Sequence, residues 1–333
     1  MAMSPHKNLL LFSTIYRIIS YMENFLIFEN TTLTYLTKPS FSGHQTFPFR
    51  YTWLKKGVDA VTENPAIFSS ENASVTLGVG KNMVSSIRHW CQVAGLIRTD
   101  PHERGRFVAT SLGEAIFSDE NGFDPYLDDP ATLWLIHWQI ATNINQATAW
   151  YWAFNIFREN QFTPDIFKKQ LPEWAQQQKT STRPASEKTL QRDIQCFIRT
   201  YCQSRHTTTV LEESFDCPLV ELNLIAEFPE SDRYEFQRGE KETLPVEVFT
   251  ATLVTFWDIC FFKRDALSFS ELMYAPLSPG RIFRLDEDTM TTYLEILEQH
   301  TDGMLKYDET AGLKQIYRWD NPNLMELLDR YYG

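Results

Sequence analysis

The chain has 333 residues, of which 43% are hydrophobic and 22% charged, a balance typical of a folded protein with two or three domains. Its net charge of −12 argues against a general nucleic-acid coat, but residues 1–110 carry 11 Lys and Arg against 7 Asp and Glu, whereas residues 111–333 carry 20 against 36. The N-terminal part is therefore predicted to face phosphates, and the acidic remainder to provide solubility or a protein-binding surface.

Cysteine usage and the N-terminus favour a cytoplasmic protein without a membrane partner. The five cysteines lack CxxC spacing, which predicts reduced thiols. The most apolar N-terminal stretch is interrupted by Arg17 and Glu23, so no run reaches the ~20 residues of a membrane span. Met22 is a second candidate start beside Met1. We expect residues 1–40 to be an extension that is poorly ordered or partly an artefact of the start site.

Residues 41–57 are unusually rich in functional side chains. They include a His, a Gln, an Arg, two Lys and five aromatic residues. Pro48 favours extended backbone at its neighbours, and helical spacing begins at Tyr51. The segment is predicted to support the module that follows it in the chain.

Residues 66–117 carry the strongest structural pattern. A glycine turn at 77–80 precedes a helix predicted from Lys81 to Ala94, which Gly95 ends. Two short strands with a basic turn and a further helix follow. This order predicts a winged helix-turn-helix, in which the second helix enters the major groove of DNA and the wing touches phosphate.

The polar face of the predicted helix is basic and lies opposite its apolar face. With the wing and the preceding segment, it gives one set of predicted DNA contacts: Lys55, Lys56, Lys81, Ser85, Arg88, His89, Gln92, Arg104 and Arg106. A winged helix that contacts only protein is the alternative.

A strongly aromatic helical block follows. Asp129 and Pro130 are typical of a helix start, and residues 132–140 and 147–157 are apolar on nearly every side, which predicts a helical core. His137 lies within this core. We expect it to be packed and hydrogen-bonded rather than catalytic, because no acidic or nucleophilic residue lies nearby at helical spacing.

A second basic helix is predicted after Ser186, which is placed to cap it. Lys188, Arg192 and Arg199 share its polar face, and Arg205 extends this stripe. We predict that Lys188, Arg192 and Arg199 also contact DNA. A merely solvated helix face is the alternative.

Helix followed by hairpin recurs twice more. Strands are predicted at 219–222 and 234–236, and a hairpin is predicted at 305–318 after an amphipathic helix. The expected fold is mainly α with small β-hairpins (α+β), with tandem winged helix-turn-helix-like modules around an aromatic helical core. The predicted domains are a winged helix-turn-helix, a helical core with a second such module, and a C-terminal module: 41–122, 123–240 and 241–333.

Several segments resemble a bacterial family long catalogued as a domain of unknown function. They are residues 44–57, 80–84, 87–90, 129–135 and 278–281, and the resemblance runs from about residue 41 to the C-terminus. The family occurs in anti-phage gene clusters built around DNA phosphorothioate modification, beside a cysteine desulfurase, a sulfur-transfer protein and an ATPase. The resemblance implies double-stranded DNA and those proteins as partners, and DNA nicking as the attributed activity. It assigns no catalytic residue to a position here.

Nicking without a metal would need a general base, and His44 is the best placed. Gln45 and Arg50 could orient it and neutralise a phosphate oxygen. An equally good interpretation makes His44 a polar anchor that fixes its segment against the winged helix. The alternative function is a non-enzymatic winged-helix DNA-binding adaptor or transcriptional regulator.

Metal-dependent nicking would need two or three converging carboxylates. The candidate groups are Asp124 with Asp128 and Asp129, or residues 286–288, and both are better explained as helix starts and solvated acids. No metal ligand is therefore predicted, and Mg²⁺ or a similar ion is expected only if cleavage depends on a metal.

Overall fold

The computed structural model describes residues 39–178, 185–202, 217–229 and 231–333. It is a mixed α+β structure in which small antiparallel sheets accompany a larger number of helices. The predictions for the N-terminal extension and its start site, and for Arg205, lie outside the described residues apart from positions 39 and 40. No described helix has the length and apolar character that a membrane crossing requires.

The N-terminal part confirms the predicted order of helices and hairpin. Its elements are α1 (Tyr51–Glu63), a 3-10 turn (Ile67–Ser69), α2 (Ala73–Leu77), α3 (Lys81–Val93), the antiparallel strands β1 (Ile97–Thr99) and β2 (Phe107–Ala109), and α4 (Ser111–Phe117). Gly78 and Gly95 follow α2 and α3 with φ of 64° and 70°, a conformation that favours glycine. Gly57 lets α1 approach α3, because a Cβ there would lie 2.3 Å from the Sγ of Cys91.

The central part contains an apolar helix and two amphipathic helices that pack against each other. Its elements are α5 (Pro130–Thr142), α6 (Thr148–Tyr151) continuing as a π-helix (Trp152–Ile156), β3 (Gln161–Phe162), α7 (Pro164–Gln177), α8 (Glu187–Tyr201), a 3-10 helix (Pro218–Leu222), β4 (Ile225–Glu227) and β5 (Tyr234–Phe236). Strand β5 lies between β3 and β4. The side chains of Asp129, Thr163 and Ser186 accept hydrogen bonds at the starts of α5, α7 and α8.

One predicted strand is wrong. Leu219–Leu222 belongs to the 3-10 helix, and the strand that pairs with β5 begins later, at Ile225. Pro218 fixes φ at a helical value in the first turn, and Asn223 ends the turn with φ of 48°. A short apolar run does not by itself distinguish these two structures.

The C-terminal part contains the predicted hairpin and one strand that was not predicted. Its elements are α9 (Val246–Phe261), β6 (Ala266–Ser268), α10 (Phe269–Tyr274), α11 (Pro279–Ile282), α12 (Glu287–His300), β7 (Leu305–Thr310), β8 (Leu313–Arg318) and α13 (Leu324–Tyr332). The strand order is β6–β8–β7, so β6 adds to the open edge of the hairpin.

His137 shows how the aromatic core satisfies its polar groups. Its Nδ1 lies 2.9 Å from the hydroxyl of Tyr201, and its Nε2 lies 3.0 Å from the carbonyl oxygen of Ile282. Nε2 must therefore donate to that carbonyl, and Nδ1 accepts from the hydroxyl. Burial lowers the pKa of His137 to about 3, which keeps the ring neutral. The prediction of a packed, hydrogen-bonded core histidine is confirmed.

Candidate nucleic-acid interface

The loop at residues 42–46, just before α1, has a strained backbone. Ser42, Gln45 and Thr46 have φ of 61°, 49° and 73°, in the left-handed region that is costly for side chains with a Cβ and most costly for β-branched threonine. Such a conformation persists only where surrounding contacts hold it. The contacts that hold this loop come from α3 and from α8.

His44 is buried, with 1% of its surface exposed, and both of its ring nitrogens are engaged. The amide of Thr46 donates to Nδ1 at 3.1 Å, and Nε2 lies 3.1 Å from Oδ1 of Asp193. Because a backbone amide only donates, the proton of the neutral ring is on Nε2 and faces the carboxylate. A general-base role for His44 stays a prediction, and it requires one of these bonds to break. The geometry favours the anchor interpretation.

Asp193 of α8 is the partner that the sequence argument missed. Its buried carboxylate accepts from the Ser42 amide at 2.5 Å and from the Ser42 hydroxyl at 3.3 Å, in addition to His44. Three donors compensate the cost of burying this carboxylate. One signal was present: Asp193 lies among the apolar residues of its helix, beside Ile194, where an acid needs a buried partner.

Arg199 holds the same loop from the next turns of α8. Its guanidinium donates to the carbonyl oxygen of Thr46. Asp193 and Arg199 are six residues apart, so α8 contacts the loop through one acidic and one basic side chain. One of the predicted DNA-contacting cations thus also fixes the loop in place.

Helix α3 holds the opposite side of the loop. The Ser86 hydroxyl donates to the carbonyl oxygen of His44 at 2.9 Å, and Nε1 of Trp90 donates to that of Phe47 at 2.8 Å. The Trp90 ring also meets Trp150 of α6, with centroids 5.3 Å apart. The loop therefore joins α3, α8 and the aromatic core.

His89 packs beneath the loop instead of projecting from α3. A Cβ on Gly43 would lie 2.5 Å from its Nδ1, so any larger residue there requires the ring or the loop to move. Burial, followed by the nearby His44 and Arg88, lowers the pKa of His89 to about 3. His89 is thus neutral in the folded protein, and its predicted DNA contact remains untested.

The residues predicted to contact DNA differ in whether they already contact other side chains of the protein. Arg88 is partly buried, 5.9 Å from the ring centroid of Phe107, and Arg106 pairs with Glu103. Ser85 and Gln92 are half-buried. Four cations are exposed and form no ion pair with any described residue: Lys81, Arg104, Lys188 and Arg192.

The cations that precede α3 are engaged elsewhere. The Nζ of Lys55 lies 2.6 Å from Asp119 and 3.1 Å from Asp59, and that of Lys56 donates to the carbonyl oxygen of Leu77 at 2.9 Å. Arg50 lies 5.5 Å from the ring centroid of Trp53, and Gln45 is exposed on the loop. The structure therefore brings His44 and Gln45 together in one loop but does not direct Arg50 at His44 through any hydrogen bond.

The two groups of carboxylates begin helices, as the helix-start interpretation requires. Asp124 accepts from the amides of Asp128 and Asp129 at 2.8 and 3.1 Å, and Asp129 accepts from that of Ala131. Asp286 caps α12. Across the described ranges, no cluster of three or more His, Cys, Asp and Glu is arranged to hold a metal ion.

Comparison with known proteins places the chain in a family. The family model described as "Protein of unknown function (DUF4007)" matches residues 41–332. A structure described as "SspB crystal structure" is 28% identical with a TM-score of 0.78, and one described as "Magnesium ion-bound SspB crystal structure" is 26% identical with a TM-score of 0.79. Each match covers 89% of this chain and 88% of the other. No curated protein sequence matches. The chain belongs to the DUF4007 family.

Proposed function

We propose that the protein is the DNA-binding component of a phosphorothioation-linked anti-phage defence system, and that it binds duplex DNA through α3 and α8. The observation that carries this proposal is the loop at residues 42–46, which is hydrogen-bonded to both helices. The two basic helices are therefore held in one fixed arrangement. The family match and the similarity to SspB structures support the link to phosphorothioation that the sequence resemblance implies.

The order of elements between α1 and α4 supports a winged helix-turn-helix as the binding module. A short α2 and the turn at Gly78 precede α3, and the hairpin that follows carries Arg104 between its strands. In this proposal α3 approaches the major groove and Arg104 contacts phosphate. The helices α8 and α12, each followed by antiparallel strands, form the further modules, within the domain limits 41–122, 123–240 and 241–333.

The proposal predicts a salt-dependent affinity. Each phosphate that a cation neutralises releases counterions, so the logarithm of the binding constant falls with the logarithm of salt concentration by about 0.9 per contact. Lys188 and Arg192 are the best test because both are exposed and neither forms an ion pair with a described residue. Their replacement leaves the contacts of the loop intact.

The test measures duplex binding by fluorescence anisotropy across a salt series. We expect the K188Q/R192Q variant to bind about tenfold more weakly than wild type, with a salt slope smaller by about two. The matched control is R233Q/K263Q, which removes two exposed cations from other parts of the molecule. Equal affinities for wild type and K188Q/R192Q would remove α8 from the interface.

Strand nicking is the second candidate, because the resemblance is to a nicking component. A supercoiled plasmid incubated with and without Mg²⁺ tests it. Open-circle product that disappears in folded H44Q protein, with Gln45 and Arg50 variants weakened in step, supports catalysis by this loop. Binding without open-circle product, even with the sulfur-transfer protein and ATPase present, favours the adaptor or regulator alternative. The engagement of both ring nitrogens of His44 supports that alternative.

A further inference from the structure

Two arginines bind carbonyl groups at the end of the π-helix. Arg281 of α11 donates to the carbonyl oxygens of Phe154 at 3.4 Å and Phe157 at 3.1 Å, and Arg284 donates to that of Ala153 at 2.6 Å. The carbonyl end of a helix carries roughly half a unit of negative charge. This offsets only part of the two guanidinium charges.

Arg284 is an unusual residue to bury. Only 4% of its surface is exposed, its guanidinium carbon lies 3.7 Å from the ring centroid of Phe236, and its Nε has no hydrogen-bond partner in the structure described. Burial, followed by the charges of Arg281 and Arg238, lowers the pKa of Arg284 well below its usual value. A buried charge is normally paired. No carboxylate among the described residues forms an ion pair with the guanidinium of Arg284.

Two more arginines, Arg158 and Arg238, lie near Arg281, whose pKa is lowered by burial and then by their charges. Arg158 directly follows Phe157, whose carbonyl oxygen Arg281 binds, and Arg238 lies two residues after Phe236, whose ring Arg284 covers. Both are exposed, and neither pairs with a carboxylate in the described ranges. Backbone contact reinforces the arrangement, because the amide of Gly239 donates to the carbonyl oxygen of Arg284 at 3.0 Å.

Asp286, the acid two residues after Arg284, already has partners. Asp286 caps α12 by accepting from the Thr289 amide at 2.9 Å, and its charge acts on the amine of the buried Lys241. Lys241 itself adds a cation on this side, with its Nζ donating to the carbonyl oxygen of Gln237 at 3.0 Å. The local excess of positive charge is therefore not removed by Asp286.

We propose that Arg158, Arg238, Arg281 and Arg284 form a binding site for a phosphate group, separate from the faces of α3 and α8. Guanidinium groups match phosphate oxygens in geometry as well as in charge. The site stands on its own and does not depend on the proposed function.

A neighbouring cavity offers room for the rest of a ligand. It has a volume of about 460 Å³, within the range of small-ligand sites, and Arg158 and Phe157 lie on its wall. Trp152, Trp174 and Lys169 line it further, and two carboxylates, Glu159 and Glu173, lie on the same wall. We therefore place the phosphate at the arginines and only the rest of the ligand in the cavity. The phosphate could belong to a nucleotide that fills this cavity or to the backbone of DNA.

Isothermal titration of the full chain with inorganic phosphate, against chloride of equal ionic strength, tests the site. We expect saturable binding by wild type, about tenfold weaker binding by R158Q/R238Q, and unchanged binding by the matched control R233Q. R158Q and R238Q alter exposed side chains, so folding should be retained. Absence of saturable binding in wild type, or an equal loss in R233Q, overturns the proposal.

A buried variant separates phosphate binding from simple capping of the π-helix. R284M should lose phosphate binding and unfold, without phosphate, at a temperature equal to or above that of wild type, because an uncompensated buried charge has been removed. A lower unfolding temperature with phosphate binding intact would show that Arg284 only caps the helix, and would overturn its place in the site.

Two further titrations identify the source of the phosphate. A nucleoside monophosphate and a short duplex are each titrated into wild type and R158Q/R238Q. Weaker binding of the nucleotide alone identifies a small phosphate ligand, whereas weaker binding of the duplex alone identifies the DNA backbone. If neither affinity depends on these arginines, the site does not serve a biological phosphate and the proposal fails. K188Q/R192Q provides the comparison with the proposed DNA-binding faces.

Discussion

Helices α3 and α8 carry the same sequence pattern of basic residues opposite an apolar face, but the fold uses the two helices differently. On α8, Lys188 and Arg192 are exposed and form no ion pair with any described residue. On α3, Arg88 lies near the ring of Phe107 and His89 packs against Gly43. Helical periodicity identifies the polar face of a helix, but it does not reveal whether another segment covers that face.

For His89, the covering segment is the loop at residues 42–46. It is bound by side chains near the middle of α3 and by Asp193 and Arg199 on α8. We infer that the middle of α3 supports the loop and that Lys81 is the exposed cation at its start, whereas α8 presents two exposed cations, Lys188 and Arg192. Three changes test this difference. They remove the Asp193 carboxylate that clamps the loop, disturb the fit between Gly43 and His89, or remove the exposed charges of the two helices.

Removal of the Asp193 clamp should have the largest effect on stability. In D193A the Ser42 amide and hydroxyl and the His44 ring lose their acceptor, and buried donors are left unpaired. We expect a loss of about 3 kcal/mol in the free energy of unfolding, measured with urea. The control D165A removes an exposed carboxylate from α7 and should cost less than about 1 kcal/mol. A D193A protein as stable as this control would contradict the clamp.

The fit between the loop and α3 should matter slightly less. G43A places a Cβ 2.5 Å from Nδ1 of His89, so the ring or the loop must move, at a cost of about 2 kcal/mol. The double variant G43A/H89A removes the obstructing ring. If G43A costs as much in the H89A background as in wild type, His89 is not what requires glycine at this position.

Removing exposed charges should weaken DNA binding more on α8 than on α3. We expect about tenfold weaker duplex binding for K188Q/R192Q and about threefold for K81Q/R88Q, because Arg88 is partly engaged with Phe107. Anisotropy titrations at one salt concentration measure both. A larger loss of affinity in the α3 variant would show that α3, and not α8, makes the stronger contacts with DNA.

The smallest expected effect is a pH dependence that arises from α3. His89 in the folded protein has a pKa of about 3, whereas in an unfolded chain it binds its proton near pH 6.5. The stability that neutral His89 provides is thus fully present above about pH 6.5 and is lost as pH falls toward 3. Between pH 7 and pH 6 we expect H89Q to lose about 0.7 kcal/mol less stability than wild type. Parallel pH profiles would show that His89 does not contribute.

Much of the local structure was predictable because it rests on local chemistry. Capping residues such as Asp129 and Ser186 and the glycine after α3 located helix ends within one or two residues. Strand β6 was missed because its three residues gain their stability by pairing with β8, which lies some fifty residues further along the chain. The apolar run at residues 219–222 favours a strand but is too short to show a period, and Pro218 makes it a 3-10 helix instead.

The exposed cations of the candidate site could be predicted from the sequence, but the long-range hydrogen bonds that hold its loop could not. Exposure of Lys188 and Arg192 followed from periodicity, since it depends on one helix alone. The bond between His44 and Asp193 spans 149 residues, and nothing local to either residue specifies it. The same applies to Arg284, whose burial depends on the ring of Phe236 and on a left-handed backbone with φ of 55°.

Amide hydrogen exchange with and without duplex DNA tests the central claim most directly. If the loop holds α3 and α8 in one DNA-binding surface, peptides covering residues 42–46, the start of α3 and the start of α8 should all gain protection at the same DNA concentration. Peptides from the β6–β8–β7 sheet should not change. Protection of only one of the two helices, or none, would contradict a shared surface.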